Sequence, residues 1–78
     1  MTFVEEGEFF CFCTTWQDRQ GVWKPLVFFE QRADRERPTM VVAAHHTVDA
    51  EYPSEEAAEQ AAIEFAVKKA QTGDVGIP

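Results

Sequence analysis

Residues 8–31 read EFFCFCTTWQDRQGVWKPLVFFEQ, and near their head stands FFCFC, residues 9–13, three phenylalanines and two cysteines in five consecutive positions. The run is far too short to span a bilayer. It is apolar at both alternating positions, where a strand solvated on one side would alternate apolar with polar. Its aromatic and β-branched content predicts a strand over residues 8–17, and the same enrichment in VWKPLVFFEQ predicts a second over 22–31. Between them Asp18-Arg19-Gln20-Gly21 is a polar turn closed by glycine. Pro25 has no N–H to donate, so the second strand lies partly on an edge or carries a bulge there.

A loop of Asp18–Gly21 sets Gln17 opposite Val22, Trp16 opposite Trp23, Phe12 opposite Val27 and Phe10 opposite Phe29. One face of the hairpin then carries Phe10, Phe12, Trp16, Trp23, Val27 and Phe29. The other carries Phe9, Cys11, Cys13, Leu26 and Phe28, with Lys24 and Glu30 toward its ends. A slip of one residue would swap the roles of the two faces, because side chains alternate with a period of two, and would leave two apolar faces all the same.

Outward from this hairpin, residues 1–7 read as a loose lead-in ended by Gly7. RADRERP, from Arg32, is a charged connection, and TMVVAAHHTV, residues 39–48, predicts a third strand. The helix follows over residues 55–71. Ser54 is its N-cap, and Glu55 and Glu56 fill the first turn, where the macrodipole favours negative charge. Lys68 and Lys69 lie near its end, Gly73 stops it in the left-handed region, and 74–78 form a tail. Glu64 and Lys68 make an i,i+4 pair in the favourable order. The expected fold is α+β, one domain of β-β-β-α type, with a three-stranded antiparallel meander and a C-terminal helix packed on one face.

On the helix, Ala58, Ala61, Ala62, Phe65 and Ala66 share one side, with Ile63 and Val67 widening the arc. An alanine stripe admits close approach, so bulk is expected from the sheet face beneath it, the one carrying Phe10, Phe12, Trp16, Trp23, Val27 and Phe29. A single helix covers a single face. The other remains mostly apolar, and large contiguous apolar patches are rare on monomers. Phe9, Cys11, Cys13, Leu26 and Phe28 are therefore the expected contact residues for a protein partner, most simply a second copy packed about a two-fold axis.

Seventy-eight residues with 45% hydrophobic content support one small core, with a margin of only about 3–5 kcal/mol unless something staples it. The net charge of −7 offers no counterion-release term for nucleic acid and no attraction to an anionic membrane. Arg32, Arg35 and Arg37 are interleaved with Asp34 and Glu36, so the few cations form no stripe. Two cysteines make no disulfide framework. With no basic N-terminal region of the secretory kind and no long apolar run, the expected setting is the cytoplasm, with reduced thiols.

Cys11, Cys13, His45 and His46 are ligand types that suit zinc. One intervening residue between the thiols is fewer than structural sites use, and adjacent histidines on a strand point to opposite faces. Neither histidine has a serine or cysteine nucleophile beside it, so no metal, cofactor or enzymatic activity is expected. The aromatic face resembles an RNA-stacking platform, but the charge opposes that use. Glu55, Glu56, Glu59 and Glu64 suggest one alternative, an acidic inhibitor or antitoxin-like protein that blocks a basic target. A weak hydrophobic-ligand module on the apolar face is another.

Tyr52-Pro53-Ser54-Glu55-Glu56-Ala57-Ala58 and the alanine repeats after it resemble the end of small bacterial domains of unassigned function, in which strands precede a helix of this type. The resemblance covers about a third of the chain. It implies a bacterial source and a β-β-β-α fold, and it carries over no activity and no site residue.

Overall fold

A computed structural model describes residues 1–31 and 44–76. Four strands, β1 (Thr2–Glu6), β2 (Phe9–Gln17), β3 (Trp23–Gln31) and β4 (Ala44–Thr47), form one antiparallel sheet in the order β1-β2-β3-β4. The helix α1 (Glu55–Thr72) follows. The fold is α+β as expected, with one strand more than the sequence suggested. The first five residues of the expected third strand, 39–43, lie outside the described residues.

The extra strand is β1, in place of a loose lead-in. Glu6 pairs with Phe9, so Gly7 and Glu8 alone make the turn. Gly7 has φ 58°, and among the described residues no non-glycine residue has positive φ. Glycine first and a negative φ second is the II′ pattern, whose twist matches that of a tight hairpin.

The second hairpin moves the expected register by one residue. The turn at Asp18 is closed by the Gly21 N–H donating to the Asp18 carbonyl at 3.1 Å. Gly21 then adopts φ 82°, the left-handed bulge position that ends a three-residue loop. Asp18 therefore faces Val22, and Gln17 faces Trp23 in place of Val22. With a side-chain period of two, the shift regroups the faces: the β2 set Phe9, Cys11 and Cys13 joins Val27 and Phe29, and Phe10 and Phe12 join Leu26 and Phe28. Cys11 pairs with Phe29 and Cys13 with Val27, whereas Phe12 pairs with Phe28 and Thr14 with Leu26.

β3 is an interior strand despite Pro25. The ladder to β4 runs from Phe29↔Ala44 to Leu26↔Thr47 and resumes only as the bridge Trp23↔Tyr52. Between these points β4 and its continuation use more residues than β3 does, and the chain bows out beside Pro25. The missing N–H thus falls where the ladder is interrupted.

The core lies between α1 and the sheet face of Phe9, Cys11, Cys13, Val27 and Phe29, all buried. Ala58, Ala62, Ala66 and Ala70 bury the facing stripe of the helix. Ile63 and Phe65 pack at its margins. The helix therefore meets the less bulky face, contrary to the expectation from side-chain volume. Small residues on both sides, alanines above and cysteines below, let the helix settle close to the sheet, with Phe9 and Phe29 filling the space around them.

Both ends of the helix follow the sequence. The Ser54 hydroxyl accepts from the Ala57 N–H at 3.2 Å, and Gly73 caps the C-terminus in the left-handed conformation. Beyond it the chain is no free tail as far as Gly76. Val75 is buried in the core, and its carbonyl accepts from His46 Nε2 at 2.8 Å. The His46 ring stands between Phe29 and Phe65, with centroids 5.5 and 5.7 Å away. At the other edge the Met1 amino group lies 2.7 Å from Glu59 Oε1. This bond raises the pKa of the amine and lowers that of the Glu59 carboxyl.

Candidate functional site

The sheet face turned away from α1 is the candidate site, and its residues fall into rows set by the strand register. One row crosses all four strands: Phe3, Phe12, Phe28 and His45. The Phe3 and Phe12 rings meet edge to face at 4.6 Å, and Phe3 stacks on Phe10 at 5.2 Å. Phe28 and His45 lie 6.2 Å apart. Aromatic pairs at such separations contribute about 0.5–1.5 kcal/mol beyond their buried area. The next row is Thr14, Leu26 and Thr47, followed by Trp16 and Lys24.

The patch is open to solvent in part. Phe3 is 40% exposed and Trp16 39%, while Phe10, Phe12, Leu26 and Phe28 are half-buried. Lys24 Nζ stands 5.3 Å over the Trp16 ring. The same ammonium lies 3.9 Å from Asp18 Oδ2 and 3.8 Å from Glu51 Oε1. Its charge is thereby balanced, and its stem shields one side of the tryptophan. Glu30, at the opposite end of this face, is buried.

Of the five residues expected to make contact, Leu26 and Phe28 lie on this open face. Phe9, Cys11 and Cys13 do not. They are sealed beneath α1, because the bulge at Gly21 turns them to the helix side. Phe3, Phe10, Phe12 and Trp16 take their place. Two local signals in the sequence pointed to them: the glycine that can close a three-residue loop with a left-handed bulge, and the Gly-x pair that folds β1 onto β2.

The two thiols are poor nucleophiles where they stand. Burial is the main cause that pushes Cys11 up to about 11 and Cys13 up to about 12, with nearby negative charge adding to it. A thiol that holds its proton is neither a ready nucleophile nor a ready metal ligand. His46 shares their side of the sheet and is engaged with Val75, whereas His45 faces the open side. Among the described residues no group of three or more His, Cys, Asp or Glu is placed to hold a metal ion. No helix among them is long and apolar enough to cross a membrane.

Comparison of the chain with protein-family models, with curated proteins and with solved structures finds no match.

Proposed function

We propose that this is a non-enzymatic, cytoplasmic protein-interaction domain that acts through the open sheet face, with a second copy of itself as the partner. The observation that carries the reading is the aromatic row of Phe3, Phe12 and Phe28, continued by Leu26 and Trp16, on the side of the sheet away from α1. An apolar face of this kind gains from being covered, at roughly 25 cal/mol for each Å² of apolar surface removed from water. Sheet-on-sheet packing about a two-fold axis would cover both copies at once. Light scattering coupled to size-exclusion chromatography tests the proposal. A dimer is expected at tens of micromolar, and Phe28→Glu is expected to give a monomer with unchanged circular dichroism. A parent chain that elutes as a monomer at high micromolar concentration overturns it.

A second reading rests on charge. The chain carries −7, and Glu55, Glu56 and Glu64 are exposed along α1. An acidic protein that blocks a basic target would bind in a strongly salt-dependent way, with affinity falling steeply from 50 to 300 mM salt. Self-association through the aromatic face would hold or strengthen over the same range.

A further inference from the structure

We draw no further inference here: the strongest candidate, the aromatic patch of Phe12, Leu26, Phe28 and Trp16 on the sheet face away from α1, is the surface already proposed for contact, and nothing in the structure shows what covers it.

Discussion

Asp18 and Val22 face each other across the mouth of the second hairpin and are tied twice. The Asp18 N–H donates to the Val22 carbonyl at 3.0 Å, and the Val22 N–H donates to Asp18 Oδ1 at 3.0 Å. The same carboxylate accepts from the Gln20 N–H at 2.9 Å. This five-residue unit decides which residues of β2 and β3 share a face, because every cross-strand pair from Gln17↔Trp23 to Phe9↔Gln31 is counted from it.

Gly21 is the residue of that unit that tolerates substitution least. A Cβ there would find room, its nearest neighbour being Gln17 Nε2 at 3.7 Å. The φ of 82° is the obstacle. Gly21→Ala is expected to lower stability by about 1–2 kcal/mol, and Asp18→Ala by a similar amount through the loss of two hydrogen bonds. Urea unfolding checks both: the midpoint should fall while the slope stays fixed. A parent-like midpoint for Gly21→Ala would mean that the loop closes in some other way.

Neighbouring positions on β3 should respond in opposite ways. Phe29 is fully buried under α1, and Phe28 is half-buried on the open face. Phe29→Glu places a carboxylate in the core at a cost of several kcal/mol, comparable with the whole stability of so small a domain. It should be unfolded by circular dichroism, while Phe28→Glu stays folded. This contrast tests which face of β3 lies under α1, whatever the oligomeric state proves to be. A folded Phe29→Glu with an unfolded Phe28→Glu would mean that the opposite face of β3 lies under α1.

The closeness of helix and sheet makes Ala62 sensitive to added volume. It is fully buried in the same cluster as Cys11 and Cys13. Ala62→Leu is expected to cost about 1–3 kcal/mol through overpacking, whereas Gln60→Ala on the exposed side should stay within about 0.5 kcal/mol. Thermal unfolding of the pair checks this, and equal melting temperatures would refute the close approach.

The thiols should be silent in the native state. With Cys11 at about 11 and Cys13 at about 12, a thiol reagent at pH 8 meets almost no thiolate and no access. Labelling is expected only as fast as the chain unfolds, and full labelling should appear in denaturant. The sign of the pH effect follows from the raised values. Below the ordinary thiol pKa of 9.0 both states hold the proton and stability is independent of these groups. As pH rises from there toward about 11, the unfolded chain releases protons that the folded chain retains, so stability falls. Replacing both cysteines by alanine should flatten this alkaline loss while costing packing energy at neutral pH.

The segment after α1 belongs to the core through Val75. Val75→Ala is expected to cost about 2 kcal/mol. His46→Phe keeps the ring between Phe29 and Phe65 but removes the donor to the Val75 carbonyl, at a cost of about 1 kcal/mol. Amide exchange of residues 74–76 should quicken in both variants ahead of the sheet. Unchanged exchange there would show that the contact carries no weight.

The sequence alone determined the elements whose causes are local. Ser54, Glu55, Glu56 and Gly73 set the limits of α1 through capping and the macrodipole, and the i+4 alanines set the side it buries. Aromatic and β-branched runs set β2 and β3, and only in part β4. β1 was missed, because the short, partly charged TFVEE run gives a weak apolar signal, although its alternation and the Gly7-Glu8 turn are local. Which face of the sheet lies under the helix was decided by tertiary structure. FFCFC and LVFF are apolar at both parities, so the pattern itself does not choose, and one glycine in a bulge shifts the whole ladder by a residue. Volume argued for the bulkier face, whereas close packing of alanine on cysteine favoured the other. The capture of Val75 by His46 was likewise invisible in the sequence, because its two partners lie 29 residues apart and meet only once β4 and α1 are packed.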